Sequence, residues 1–211
     1  MNKALLIAAA IFSTNCATQY NDHLVALEIE RGFIKTAALE AMRQDADYIV
    51  LIDAYDDVKR LSKLLGFSGQ YGHIEAVRNG KAYGCRPPVC SEIPISELEQ
   101  MFDGDHFEIR EVPIQGSSAA AIQWFRTHLQ GVAYDLFYNN CTDALVAMYS
   151  ASGDASLTLA PVDVNKTYLS NTQLREFMQT LGIPKPRREQ VYFPDQFTKI
   201  GKKVAQGTFG R

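Results

Sequence analysis

Hydrophobic and polar positions alternate along the chain in patterns that predict a mixed α and β protein. The segment "DYIVLIDAY" (residues 47–55) is a continuous apolar run bounded by aspartates, typical of a strand buried on both faces. In "YGHIEAVRNGKAYGC" (71–85) two strand-like runs meet at Asn79-Gly80, a strong β-hairpin signal. The segment "HFEIREVPI" (106–114) alternates like a half-exposed strand.

Helical periodicity predicts helices within residues 24–44, 56–66, 117–131 and 172–184. A capping box of Ser96 and Glu99 predicts one more short helix, preceded by a turn. In "FYNNCTDALVAMY" (137–149), Asn140 caps a predicted helix that begins at Cys141. The predicted fold class is therefore α+β, with a small antiparallel sheet packed against helices. The segment after residue 150 is expected to wrap the same domain.

The composition indicates the number of domains and excludes some classes of binding partner. The chain has 211 residues, of which 46% are hydrophobic and 21% charged, which fits one globular domain with a substantial core. The net charge of -3 comes without a block of like charges, so neither a nucleic acid nor an anionic membrane surface is an expected partner.

The first residues predict export. Lys3 precedes the apolar run "ALLIAAAIF" and the small polar residues "STNCAT", which is the pattern of a secretory signal over residues 1–17. Nine apolar residues are too few for a membrane-spanning helix, which takes about 20. Cys16 stands where a bacterial lipoprotein carries its acylated cysteine, although Asn15 departs from the usual small residue. The mature domain, 18–211, is expected in the periplasm or cell envelope, at the membrane only if anchored through Cys16.

Export leaves an odd set of cysteines, namely Cys85, Cys90 and Cys141. The short, proline-containing spacing of "CRPPVC" permits a Cys85–Cys90 disulfide, and two unpaired thiols in a loop are the alternative. No CxxC motif and no Cys/His pair with zinc-site spacing occurs, so neither a metal nor a cofactor is expected.

Cys141 is a candidate nucleophile because a thiol at a helix start meets the positive end of the helix dipole and unpaired backbone N–H groups. Its alternative role is that of a small buried residue. His73 projects from the first arm of the hairpin and shares a strand face with Glu75. A structural histidine is the alternative there.

The motifs Gly72-His73 and, later in the chain, Asn140-Cys141 resemble the circularly permuted NlpC-type members of the papain-like superfamily. This group includes bacterial lipoprotein families and the lecithin:retinol acyltransferase-like proteins. In it the histidine strand precedes the cysteine helix, as it does here. The resemblance covers roughly residues 48 to 150.

The resemblance implies that Cys141 attacks a carbonyl carbon and that His73 transfers the proton. The family's third residue, which orients the imidazole, usually comes from the next strand, where Tyr83 lies. This sequence departs from that pattern, because Glu75, the preferred candidate, shares the face of His73 on the same strand. Tyr134 and Asn140 are the candidate oxyanion or substrate residues, beside the backbone N–H of Cys141.

Together these features predict an exported cysteine hydrolase of the amidase or peptidase type acting on cell-wall peptide. Acyl transfer or thioester hydrolysis on lipids and a catalytically inactive envelope binding protein are the alternatives. A long apolar cleft beside Cys141 would favour lipid, and a polar open groove would favour peptide.

Overall fold

The computed structural model describes residues 46–154, 157 and 159–210. The predicted signal segment 1–17, with Cys16, and the predicted helix within 24–44 lie outside the described residues.

A six-stranded antiparallel sheet forms the centre of the described structure. Its strand order is β4-β3-β2-β1-β5-β8. The strands are β1 (Asp47–Ile52), β2 (His73–Arg78), β3 (Lys81–Arg86), β4 (Val89–Pro94), β5 (His106–Val112) and β8 (Lys202–Thr208). Two short strands, β6 (Val162–Asp163) and β7 (Gln190–Val191), pair separately.

Helices lie on both sides of this sheet. They are α1 (Asp56–Leu64), α2 (Ile95–Met101), α3 (Ser118–His128), α4 (Cys141–Ala151), α5 (Val164–Ser170) and α6 (Thr172–Thr180), with a 3-10 helix at Pro194–Lys199. The predicted α+β class with a small antiparallel sheet is thereby confirmed. Among the residues that the structure describes, no helix combines the length and apolar character needed to cross a membrane.

Strand β1 is buried along its whole length, as its apolar run predicts. Ile49 and Leu51 join a core cluster that contains Phe125 of α3 and Leu145 of α4. The alternate side chains, including Val50, belong to a second cluster on the other face, which contains residues of α2. Because side chains alternate along a strand, one continuous apolar run serves both clusters.

The hairpin predicted at Asn79-Gly80 is confirmed. Arg78 pairs with Lys81, and both turn residues have positive φ, 53° for Asn79 and 69° for Gly80. Such a two-residue turn matches the twist of the paired strands.

Two local predictions are wrong. Helix α2 begins at Ile95 after Pro94, so Ser96 is inside the helix and forms no capping box with Glu99. The preceding residues, predicted as a turn, form strand β4, because a second hairpin pairs Cys90 with Cys85. Strand β5 is more buried than its alternation suggests, since β1 and β8 flank it on both edges.

The C-terminal segment supports the loop that leads into β2. Asp195, in the 3-10 helix, accepts hydrogen bonds from the hydroxyls of Ser62 and Ser68. It also accepts from the backbone N–H groups of residues 69, 70 and 71 at 3.2, 3.0 and 3.3 Å. This buried carboxylate therefore fixes the chain immediately before Gly72 and His73.

Candidate functional site

Helix α4 begins at Cys141, and Asn140 caps it. The Asn140 Oδ1 atom accepts from the backbone N–H of Asp143 at 2.9 Å and from the Thr142 hydroxyl at 2.6 Å. Its amide donates to the Leu136 carbonyl at 2.9 Å and to the Asp143 carboxylate at 3.1 Å. Both amide hydrogens are thus used, so Asn140 shapes the helix start and offers no donor to an oxyanion in this arrangement.

The Asp143 carboxylate, two residues after Cys141, would disfavour a thiolate if its charge were uncompensated. Burial raises the pKa of Asp143 to about 6, and the nearby Arg188 acts in the opposite direction. The Arg188 guanidinium donates to Asp143 Oδ2 at 2.7 Å. Arg188 thereby balances this charge at the N-terminal end of α4.

His73 lies at the start of β2 and is only 1% exposed. Its Nε2 atom lies 2.7 Å from Glu75 Oε1, and the ring also hydrogen-bonds with the Cys141 side chain. Burial alone would lower the pKa of His73, but the charge and hydrogen bond of Cys141, with those of Glu75, raise it to about 9. The structure therefore brings Cys141, His73 and Glu75 together.

Two aromatic rings, which the sequence motifs do not reveal, hold the imidazole. Phe102 stacks on the His73 ring at a centroid distance of 5.2 Å, and Tyr55 meets it edge-on at 5.3 Å. Burial, followed by the charges of Cys141 and Glu75, raises the pKa of Tyr55 to about 12. Tyr55 therefore keeps its hydroxyl proton beside the thiol at neutral pH.

Glu75 is fully buried and ion-paired. Burial raises the pKa of Glu75, but the hydrogen bonds and charges of His73 and then Arg86 lower it by more. The net shift of this pKa is therefore downward. The Arg86 guanidinium donates to Oε1 at 2.6 Å, the same oxygen that faces His73. A carboxylate beside two cationic partners stays ionised and can orient the imidazole.

Tyr83, the alternative third residue, lies on the other face of the sheet. It pairs with Ala76 and packs edge-on against Phe125 at 5.8 Å. Because Arg78 pairs with Lys81, the face of Glu75 is continued on β3 by even-numbered residues, Gly84 and Arg86. The hairpin register was a signal that could have identified Arg86 from the sequence.

Gly84 leaves room for the Glu75 carboxylate. A Cβ atom at this position would lie 2.0 Å from Glu75 Oε2, well inside van der Waals contact. Among the residues that the structure describes, Oε2 itself has no hydrogen-bond partner. A residue with a side chain here would displace the carboxylate from His73.

A small cavity of about 40 Å³ lies beside Cys141. Its lining is almost entirely apolar and includes Leu61, Leu65, Phe137, Met178, Val191 and Phe193. Tyr134 also lines it, and burial, followed by the charge of Cys141, raises the pKa of its hydroxyl. The Tyr134 side chain thus stands next to the thiol as a neutral donor group.

Cys85 and Cys90 form a disulfide, with Cα atoms 3.8 Å apart across β3 and β4. Cys141 is the free cysteine of the described part of the chain and is 6% exposed. Over residues 46–154, 157 and 159–210, no group of three or more histidine, cysteine or acidic side chains is arranged to hold a metal ion. His106 and His128 are exposed, and their rings hydrogen-bond with the Thr208 hydroxyl and the Trp124 carbonyl, respectively.

The chain was compared with protein-family models, with curated proteins and with solved structures, and none of the three comparisons found a match.

Proposed function

We propose that this protein is a cysteine hydrolase of the amidase or peptidase type, built on a permuted papain-like domain. The observation that carries the proposal is the meeting of Cys141 and His73, which are 68 positions apart in the sequence. A buried thiol beside an imidazole that is itself held by a carboxylate is the arrangement that covalent thiol catalysis requires. The disulfide is consistent with export to an oxidising envelope compartment, which is part of the proposal.

In the proposed reaction, the thiol proton already resides on His73 at neutral pH, and the Cys141 thiolate attacks the substrate carbonyl carbon. As the C–N bond breaks, the imidazolium gives this proton to the leaving amine, and a thioester remains on Cys141. Water then attacks the thioester and gives a proton to His73. Breaking of the C–S bond releases the carboxylic acid and restores the Cys141 thiolate beside the His73 imidazolium.

The oxyanion of each tetrahedral intermediate would be stabilised at the start of α4. The backbone N–H of Cys141 is in the first turn, where N–H groups lack intrahelical acceptors. The Tyr134 hydroxyl, protonated because its pKa is raised, is the second candidate donor. Glu75 would keep the imidazole in the orientation in which the ring hydrogen-bonds with the sulfur.

Alkylation of Cys141 tests the thiol–imidazole pair without knowledge of the substrate. The pKa of His73, about 9, lies above the ordinary value, so the imidazolium is present below pH 9 and is lost as the pH rises through 9. Below that pH the positive ring should favour negatively charged iodoacetate over neutral iodoacetamide, by about tenfold. Rates are followed by mass spectrometry from pH 5 to 10, and the preference should disappear above pH 9.

The matched control is His73→Gln, in which the preference for iodoacetate should be absent at every pH. A wild-type protein whose Cys141 shows no such preference, or does not react at all, contradicts the catalytic proposal. That result would favour the catalytically inactive binding protein.

A second candidate, hydrolysis or transfer of lipid acyl groups, is favoured by the apolar lining of the cavity beside Cys141. If the cavity receives an acyl chain, kcat/KM for 4-nitrophenyl esters should rise about threefold to fourfold for each added CH2 until the cavity is filled. Leu65→Gln, which adds a polar group to the cavity wall, should flatten this dependence. A series of esters from C2 to C12, with a peptide anilide alongside, measures it.

This assay distinguishes the peptidase proposal from the lipid acyl candidate. Equal rates along the ester series, together with cleavage of the peptide anilide, would reject the acyl candidate and keep the peptidase proposal.

A further inference from the structure

Residues 85–90 form the turn between β3 and β4 and are here named the disulfide turn. The Cys85–Cys90 disulfide closes it, and Arg86 pairs with Val89 just inside the closure. Pro87 and Pro88 occupy the two turn positions and have fixed φ angles. The backbone of Arg86 is therefore restrained on both sides.

The Arg86 side chain is 2% exposed and is held at both ends of its guanidinium. Nη2 donates to the carbonyl oxygen of Ser91 at 3.0 Å and to its hydroxyl at 2.8 Å. Nη1 donates to Glu75 Oε1 at 2.6 Å. The planar guanidinium thus connects Ser91 of β4 to the Glu75 carboxylate through hydrogen bonds.

The Glu75 carboxylate depends on this contact for its position. Oε1 interacts with both Arg86 and His73, whereas Oε2 faces Gly84 and has no hydrogen-bond partner within the described part of the chain. Without Arg86, the contact to His73 is the one polar contact that the described residues leave to the carboxylate. A buried carboxylate that loses its arginine partner is strongly disfavoured in its charged form.

The same turn also contacts the nucleophile side of the site. The backbone N–H of Tyr134 donates to the Pro88 carbonyl at 2.9 Å, and that of Cys90 donates to the Val132 carbonyl at 2.8 Å. The Cys90 sulfur lies 4.0 Å from the carbonyl oxygen of Asn139. The disulfide turn therefore touches the segment that leads to Cys141 as well as the acid that holds His73.

We propose that Arg86 is a positioning residue of this site, which orients Glu75 and through it His73 from a turn that the Cys85–Cys90 disulfide holds in place. The inference rests on the proposed function, because it assigns Arg86 to the Cys141–His73 pair. Arg86 does not touch the reacting atoms.

Titration of the His73 ring by NMR tests this directly, with His73→Gln used to assign its signals. The groups that face the ring are Cys141 from α4, Glu75 from its own strand, Tyr55 from the start of α1, and Arg86 behind Glu75. Arg86→Gln should lower the midpoint from about 9 by about one pH unit or more, because Glu75 loses its orientation and charge. Arg86→Lys, which keeps the charge, should restore about half of the shift.

The matched control is Arg78→Gln on β2, which breaks another arginine–carboxylate pair, with Asp47, away from the site. This variant should lose stability but leave the His73 midpoint unchanged. If Arg86→Gln does not fold, Ser91→Ala takes its place, since it removes one of the contacts that hold Arg86, and a smaller shift in the same direction is expected.

An unchanged midpoint in folded Arg86→Gln, or in Ser91→Ala where Arg86→Gln does not fold, overturns the inference. A wild-type midpoint near the ordinary histidine value of about 6.5 would instead contradict the proposed function itself. The two failures are thereby distinguished.

Discussion

Replacing Cys141 by alanine should abolish turnover and probe labelling, with a loss of activity of about 10⁴-fold or more. The reason is that no other described free thiol exists to form the covalent intermediate. The measurement is hydrolysis of the best ester or anilide substrate, together with labelling by a thiol-reactive probe. His73→Gln should lower the rate by a similar factor, because the sulfur loses its base.

The design of these variants follows from burial. Both residues are buried, since Cys141 is 6% exposed and His73 is 1% exposed. His73→Ala would open a space between Phe102 and Tyr55 and cost roughly 2 to 4 kcal/mol. His73→Gln and Cys141→Ser are therefore the better variants to measure beside Cys141→Ala. Thermal unfolding should verify that each variant is folded. A folded Cys141→Ala protein with wild-type turnover would end the proposal.

Gly72→Ala should destabilise the protein by roughly 3 kcal/mol or more and also disable the site. A Cβ atom at position 72 would lie 1.9 Å from the backbone oxygen of Ala54 and 2.8 Å from that of Tyr55. Neither oxygen belongs to a flexible side chain, so the chain before His73 must move. Urea unfolding measures the loss of stability, and the iodoacetate preference measures the displacement of His73.

Gly80→Ala is the matched control for this glycine. Gly80 has a φ of 69° and open space around its missing side chain, so alanine there should cost only about 1 kcal/mol of backbone strain. Its alkylation profile should equal that of the wild type. Equal losses of stability in the two variants would show that the close approach at Gly72 is unimportant.

Elements defined by neighbouring residues could be predicted from the sequence. Strand β1 has a continuous apolar run, the first hairpin has Asn79-Gly80, and α4 has an asparagine cap before Cys141. Each of these signals lies within a few residues of the structure it specifies. The meeting of His73 with Glu75 was predictable for the same reason, because i and i+2 share a strand face.

Elements defined by long-range pairing could not be predicted in this way. Strand β4 contains Pro94 and follows two prolines, so its local pattern indicates a turn, and only its pairing with β3 makes it a strand. Strand β8 becomes part of the sheet through β5, about 95 residues earlier. Tyr55 lies directly before α1 and Phe102 directly after α2, and both contact the His73 ring. Their local sequence does not predict these contacts.

The contact made by Asp195 has a consequence for the order in which the site can form during synthesis. The loop that delivers His73 is held by a carboxylate from near the end of the chain. A growing polypeptide that has not yet reached residue 195 contains both the thiol and the imidazole. It lacks the Asp195 carboxylate, which fixes the loop directly before His73. The candidate site is therefore completed only when almost the whole chain is present, so partly made or truncated chains would carry a thiol without an ordered imidazole beside it.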